Sequence, residues 1–250
     1  MDASIVLDAQ LLHRTEDFVQ CALASHDSSH DIWHIRRVRA NAKMLAEAEG
    51  LTADATRLVE LCALLHDVHD WKYSGDASAT QTSVKAFLEQ QAAPPALIAK
   101  VLTIIGSVGF KDELRSSTVS TASAAQEVAS GQAPAAHSEP GAGLSIEAAV
   151  LQDADRLDAI GAVGIARCFT FGGHFSRTLH DPDVPPRTNL TKEQYMAESA
   201  RATTINHFYE KLLKLSAMMK TAAGRRAAQQ RHDFMLQYLE QFHAEWEGRR

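Results

Sequence analysis

The sequence predicts an all-α protein, and three observations support that fold class. Apolar residues recur at spacings of three and four along most of the chain, which is the period of an amphipathic helix. No segment shows the two-residue alternation of a half-buried strand. The sequence also contains no internal repeat and no glycine-rich strand-to-helix loop for phosphate, so a nucleotide-binding α/β fold is not indicated.

The first helices are predicted from their apolar faces and their end signals. One or two helical segments are expected between Ile5 and Ala24. The next helix ends at Glu49-Gly50, and the N-cap composition of residues 52–56, TADAT, leads into a buried helix from Leu58 to Trp71. The apolar face of the helix before Gly50 is formed by Ile35, Val38, Ala42, Leu45 and Ala46.

The middle of the chain combines two further helices with a change in composition. An exposed amphipathic helix is predicted over residues 83–91, and an apolar helix over residues 96–108. Residues 112–143 are rich in Ser, Ala, Thr, Gly and Pro, which predicts an exposed and flexible insertion. We expect the whole chain, residues 1–250, to form one helical domain around this insertion.

The last third of the chain returns to core composition at Ile146. Residues 169–190 are dense in Gly, Pro and polar residues and predict a long loop over a site or interface. Two long helices are predicted after it, over residues 193–220 and 225–246. Their Met and aromatic stripes are interpreted as core.

Composition and charge limit the classes of partner. With 250 residues, 45% of them hydrophobic, the chain can bury a large core. A net charge of −6 and a pI near 6.0 give no electrostatic footprint for nucleic acid or an anionic membrane. The three cysteines, Cys21, Cys62 and Cys168, are far apart among apolar neighbours, which predicts reduced core thiols. No signal peptide or membrane-spanning stretch is recognised, so we expect a cytoplasmic enzyme or binding protein.

The most informative stretch, LVELCALLHDVHDW, joins an apolar helix to four candidate metal ligands. These are His66, Asp67, His69 and Asp70, within five consecutive positions. Polar side chains beside a buried helix need partners, and a bound cation would supply one. The alternative is that the helix leaves the core here and the four residues form a solvated end. This stretch alone does not decide between the two.

A second polar group, QDADRLD, invites comparison with a calcium loop. Counting from Asp153, the sixth position is Asp158 instead of glycine, and the twelfth is Gly164 instead of a bidentate glutamate. The calcium template therefore fails. We interpret the segment as a helix with Asp153 and Asp155 at or near its start.

Together, His34, His66, Asp67 and Asp153 offer two neutral nitrogens and two carboxylates to one ion. This mixture suits Mn, Fe, Co, Ni or Zn better than calcium, and hydrolysis is the natural chemistry of such a site. Each residue alone has an ordinary structural explanation. A second metal would need further ligands between the central pair and Asp153, where only His69 and His137 are available, and His137 lies in the flexible insertion.

The pattern H34-x-x-R37-V38, then H66-D67, then D153 resembles the HD-domain superfamily of metal-dependent phosphohydrolases. Four blocks, HDIWHIRRV, ALLHD, QDADRLDAIGAVGIARCFTFGG and INHFYEKLLKL, are similar to stand-alone bacterial HD hydrolases. The resemblance covers most of the chain outside the insertion. It implies an HD-domain helical bundle with additional C-terminal helices.

The resemblance also implies roles for individual residues. The metal ligands fall on His34, His66, Asp67 and Asp153, and the cofactor is one divalent ion, Mn, Co, Ni, Fe or Mg. Asp70 takes the position of a carboxylate that activates water in some relatives, although the relatives carry the longer glutamate. Candidate phosphate contacts are Arg37, Lys72, Lys111, Arg167 and Lys211.

The function implied is hydrolysis of a nucleotide, or of a related small phosphate ester or anhydride, by a metal-activated water. The expected partner is a small phosphorylated substrate, without nucleic acid or membrane. An alternative is a ligand-binding or regulatory HD module that keeps its metal without turnover. Oxygenase chemistry at a two-iron site ranks lower, because its additional ligands are missing.

Overall fold

The computed structural model describes residues 7–24, 30–68, 79–108, 144–187 and 203–249. All regular secondary structure in these ranges is helical, which confirms the all-α prediction. None of the helices described is long and apolar enough to cross a membrane. In chain order they are α1 Ala9–Ala22, α2 Ile32–Ala48, α3 Ala53–Leu65, α4 Ala79–Gln90, α5 Pro95–Gly106, α6 Ile146–Asp158, α7 Gly161–His174, α8 Asn206–Glu210, a 3₁₀ helix Leu212–Met218, and α9 Ala222–Trp246.

Helices α2, α3 and α6 pack against one another at the centre of the fold. The predicted apolar face of α2 is fully buried, so the sequence located this helix correctly. Asp31 caps its start, and Gly50, with φ of 73°, follows its end in the left-handed conformation that glycine adopts most easily. The side chains of α3 are buried around most of its circumference, because α1, α2, α5 and α6 all contact it.

The end of α3 lies earlier than the sequence indicated. Thr52 caps its start as predicted, but the helix ends at Leu65 and residues 66–68 form a turn. The expected continuation to Trp71 is therefore wrong at residues 66–68, and the rest of it lies outside the described residues. As a result His66 sits at the helix terminus, with one ring nitrogen bonded to a carbonyl of the last turn.

The acidic segment belongs to the second half of α6, not to the start of a helix. Ser145 caps α6, which runs without interruption to Asp158. The chain then breaks at Gly161, whose φ is 75°, and α7 begins there. An added Cβ on Gly161 would lie 2.9 Å from Cγ of Arg231 on α9, so both the backbone conformation and the packing favour glycine.

The C-terminal third differs most from expectation. Helix α7 extends to His174, so the predicted loop begins later than residue 169. The described part of the helix predicted over residues 193–220 is broken into α8 and the 3₁₀ helix. Helix α9 matches its prediction, although Phe234 and Trp246 on its aromatic stripe are 47% and 46% exposed instead of core.

Candidate metal centre

His34 enters the site from the first turn of α2. The side chain of Asp31 accepts hydrogen bonds from the backbone N–H groups of Trp33 and His34, which starts the helix at this point. The His34 imidazole is 2% exposed, and its Nδ1 lies 2.7 Å from Oδ2 of Asp158. Because a carboxylate only accepts hydrogen bonds, Nδ1 carries the proton and Nε2 keeps its lone pair.

His66 reaches the same place from the end of α3. Its Nδ1 lies 2.9 Å from the carbonyl oxygen of Ala63, so Nδ1 is again the donor. The other ring nitrogen, Nε2, is buried and has no hydrogen-bond partner in the described part of the chain. Leaving a buried polar atom unpaired costs about 1–3 kcal/mol. A ligand at Nε2 would account for this atom.

Asp155 places a carboxylate between the two imidazoles. Its Oδ1 lies 3.7 Å from Nε2 of His34 and 3.8 Å from Nε2 of His66, and Oδ2 of Asp67 lies 4.0 Å from Nε2 of His34. These distances are too long for hydrogen bonds. Two atoms that are each about 2.1 Å from one ion lie at most about 4.2 Å apart, so a single ion could bridge each pair.

The donor set fits a divalent transition metal. The ligand atoms of His34, His66 and Asp155 all lie within 4.8 Å of one another. Two neutral imidazole nitrogens beside carboxylate oxygens are the mixed ligands that Mn, Fe, Co, Ni and Zn accept, whereas calcium takes oxygen ligands. The unpartnered nitrogen of His66 belongs to this set. The residues present therefore fit a metal.

The protonation of the three groups reflects their surroundings. Burial lowers the pKa of His34, and the positive charge of Arg167 lowers it further. Burial also acts to lower the pKa of His66, but the carboxylates of Asp155 and Asp67 outweigh burial and raise that pKa to about 9. Burial acts to raise the pKa of Asp155, but the two imidazoles and Arg167 hold it well below its usual range. The carboxylates of Asp155 and Asp67 stabilise the protonated form of His66, and they would stabilise a bound metal cation in the same way.

Asp158 links the His34 imidazole to two guanidinium groups. Arg37 donates to it from Nε at 2.7 Å and Nη2 at 3.1 Å, and Nη1 of Arg167 lies 3.0 Å away. Burial acts to raise the pKa of Asp158, but the bonds from His34 and Arg37 and the charge of Arg167 lower it to about 2. Asp158 thus fixes the proton of His34 on Nδ1 and holds both arginines beside the candidate metal ligands.

The structure corrects the choice of Asp153 as a metal ligand. Its buried carboxylate accepts hydrogen bonds from the backbone N–H of Lys220 at 2.9 Å, and from the N–H and Oγ1 of Thr221, both at 2.8 Å. Asp153 therefore holds the start of α9 in place through Thr221, which is the N-cap of that helix. Positions 153 and 155 are two residues apart on one helix, so their side chains project from nearly opposite faces. Asp155 is the residue that faces the histidines.

The other predicted site residues fall into three groups. Arg37 and Arg167 are brought together at Asp158. Lys211 lies between α8 and the 3₁₀ helix, and its positive charge acts on Cys168. Three residues, Asp70, Lys72 and Lys111, lie outside the described residues, as does the insertion at 112–143.

Sequence reasoning missed Asp155 as a candidate ligand and gave Asp158 no role. A signal for both was present, because residues three apart share a helix face, and only these two of the three acids satisfy that spacing. Ser145, three residues before Ala148, marks the earlier start of α6, which makes one continuous helix through all three acids. Recognising that start would have separated Asp153 from the other two.

Replacing Asp158 by asparagine should weaken metal binding about 10- to 100-fold, the usual cost of losing a partner that orients a ligand. Asparagine keeps the shape but removes the charge that holds Arg37, Arg167 and the protonated Nδ1 of His34. Calorimetric titration with Mn²⁺ measures the effect on protein shown by circular dichroism to be folded.

Glu210→Gln is the matched control, because Glu210 is also buried and is also bound by an arginine, Arg187, at 2.9 Å. Glu210 lies at the end of α8 and belongs to none of the contacts that join the candidate metal ligands. We expect its loss to lower stability without changing Mn²⁺ affinity. Equal Mn²⁺ affinity in Asp158→Asn and the unmodified protein would contradict the orienting role of Asp158.

Several known proteins are similar to this chain along most of its length. No family model matches the chain. The uncharacterized protein YpgQ of Bacillus subtilis is 33% identical over 231 residues, which cover 92% of this chain and 91% of YpgQ. A crystal structure of YpgQ in complex with ADP has a TM-score of 0.64 and 30% identity, and the match covers 94% of this chain and 97% of that one.

Two other solved structures are similar along nearly the full chain. A crystal structure of a protein from Lactobacillus plantarum has a TM-score of 0.76 and 32% identity, with 97% of this chain and 100% of that chain covered. A crystal structure of an HD-superfamily hydrolase from Bacillus thuringiensis has a TM-score of 0.63 and 35% identity, with 95% and 97% covered.

Proposed function

Because the chain belongs to the HD superfamily of hydrolases, we propose that it is a metal-dependent phosphohydrolase acting on a nucleotide or a related small phosphate ester or anhydride. The observation that supports this most strongly is the convergence of His34, His66, Asp67 and Asp155. In this group the buried Nε2 of His66 has no partner among the described residues.

The four side chains would hold one divalent ion, Mn, Co, Ni, Fe or Mg. When bound, the ion would polarise a phosphoryl group and make water more acidic. The chain's own contribution is to aim both Nε2 lone pairs at the ion. The hydrogen bonds from Nδ1 of His34 to Asp158 and from Nδ1 of His66 to Ala63 do this, because each fixes the proton on the other side of its ring.

Arg37 and Arg167 are the proposed phosphate contacts. Guanidinium groups match phosphate geometry and keep their charge. Arg37 uses two of its three nitrogens on Asp158 and its side chain is 34% exposed, so it retains donor capacity toward a ligand. Lys72, Lys111 and Lys211 remain proposed contacts.

We propose Asp70 for proton transfer, by analogy with the family. Residues 66–68 form a turn, so the one-turn spacing of a helix does not place Asp70 beside His66. The proposal for Asp70 therefore rests on the resemblance alone.

A nucleotide is proposed as the substrate class for two reasons. YpgQ, which matches nearly the whole chain, has been crystallised with ADP. Two arginines beside a metal centre also suit a ligand with several phosphate charges.

A screen of nucleoside mono-, di- and triphosphates with Mn²⁺, Mg²⁺, Co²⁺ or Ni²⁺ tests the proposal. We expect phosphate or pyrophosphate release that requires one of these ions and stops with a chelator. Stoichiometric metal and tight nucleotide binding without release would contradict the enzyme and favour a regulatory module. Release that persists in chelator would contradict metal dependence.

A further inference from the structure

A group of aromatic side chains lies immediately beside the candidate metal centre. The ring centre of His30 lies 6.0 Å from that of His34 and 5.8 Å from that of Phe171, and the Phe171 and Phe175 rings are 4.5 Å apart. We call His30, Phe171 and Phe175 the aromatic patch. Three successive ring contacts connect His34, a candidate metal ligand, with Phe175 at the C-terminal end of α7.

Helix α7 connects this patch to the proposed phosphate contacts. Arg167, Phe171 and Phe175 follow one another at intervals of four residues, so they project from one side of the helix, although Phe175 is the capping residue. Arg167 lies at the metal-site end of this row, 3.0 Å from Asp158. The row therefore starts beside the expected phosphate position and leads away from it through aromatic rings.

The patch does not belong to the main core. Two residues before Phe171, Phe169 packs against Phe208 and Tyr238, with ring centres 6.1 Å away in both cases. Phe169 thus faces the C-terminal core, and Phe171 faces the metal site. Phe175 is 40% exposed, which is unusual for a ring that serves only to fill a core.

A positive charge lies directly beside the aromatic patch. Cζ of Arg177 lies 5.1 Å above the centre of the Phe171 ring. Aromatic faces and guanidinium planes are the surfaces on which proteins stack nucleobases, and they do so with little preference for the base. A partly exposed aromatic surface beside the proposed phosphate-binding arginines therefore suits a nucleoside phosphate better than an isolated phosphate.

We propose that the aromatic patch is a base-binding subsite. The base of a nucleoside phosphate packs against Phe171 and Phe175, while its phosphates reach Arg37, Arg167 and the metal centre. This inference rests on the proposed function, since it requires the phosphates to bind beside His34. It assigns His30 a place between base and phosphates, and it predicts that the base contributes affinity of its own.

Binding measurements can separate the base from the phosphates. The probes are ADP and inorganic pyrophosphate, each titrated in the presence of Mn²⁺ into the unmodified protein and the double variant F171L/F175L. Leucine keeps apolar volume and removes the rings. We expect ADP affinity to fall about tenfold, within the range that base stacking on aromatic rings contributes. Pyrophosphate affinity should change less than about twofold, because pyrophosphate has no base to stack.

Phe169→Leu is the control on the same helix. It removes a ring of the same kind from the opposite face, so it should lower the unfolding temperature without changing the ratio of ADP to pyrophosphate affinity. A double variant that loses both affinities equally, or neither, would overturn the subsite. A failure of the unmodified protein to bind pyrophosphate with Mn²⁺ would instead contradict the proposed function, and the inference with it.

Discussion

Replacing His66 by asparagine is expected to reduce metal-dependent hydrolysis by more than about 100-fold. Losing a residue that only orients a metal ligand already costs about 10- to 100-fold, and His66 is a proposed ligand itself. The asparagine amide nitrogen takes the place of Nδ1 and can still donate to the carbonyl of Ala63. The variant therefore removes only Nε2, which is buried without a partner among the described residues. Turnover at saturating metal and substrate measures the loss.

The stability of the metal-free His66→Asn variant should stay within about 1 kcal/mol of the unmodified protein, because the hydrogen bond from the side chain to the carbonyl of Ala63 is kept. His243→Asn is the matched control. Nε2 of His243 lies 2.9 Å from the hydroxyl of Tyr209, far along α9, so its loss should cost stability and spare turnover. Near-normal hydrolysis by His66→Asn would exclude His66 from the reaction centre.

The second large effect concerns folding. Asp153→Ala should lower the free energy of unfolding by about 3–5 kcal/mol, because it leaves the backbone donors of Lys220 and Thr221 unpaired at a buried helix start. The side chain of Thr221, which itself accepts from the N–H of Gly224 at 2.9 Å, loses its acceptor as well. Urea unfolding followed by circular dichroism measures the loss.

Gly224→Ala tests the same contact from the opposite side. An added Cβ on Gly224 would lie 2.3 Å from Oδ2 of Asp153, so the carboxylate and the start of α9 would have to separate. We expect this variant to be destabilised as well, with the metal ligands untouched. Stability of both variants equal to that of the unmodified protein would contradict the role of Asp153 in holding the start of α9.

The sequence predicted burial better than it predicted the path of the backbone. Ile205, Phe208, Leu212, Leu215 and Met219 are all buried as their spacing indicated. The continuous helix assigned to them is nevertheless broken at Lys211, where φ is −137°. A spacing of three to four residues fits both an α-helix and a 3₁₀ turn, so the pattern carries no information about where one gives way to the other.

At the candidate site, too, the sequence identified most of the residues but not how they are arranged in space. His34, His66 and Asp67 were predicted from their match to the pattern of the HD superfamily. In the structure Asp155 lies within 3.8 Å of both imidazoles, and Asp67 lies 4.0 Å from that of His34. The choice between Asp153 and Asp155 depended on which side of α6 faces the histidines. That choice is fixed by packing between helices distant in sequence, and composition does not report it.

The metal content of two isosteric variants tests most directly whether Asp155, and not Asp153, is a metal ligand. The unmodified protein and Asp153→Asn should each bind about one Mn²⁺ per chain, since asparagine still offers an oxygen to the start of α9 and no ligand is lost. Asp155→Asn should retain less than about one-tenth of an ion per chain while remaining helical. Full occupancy in Asp155→Asn, or loss of metal from folded Asp153→Asn, would contradict the site.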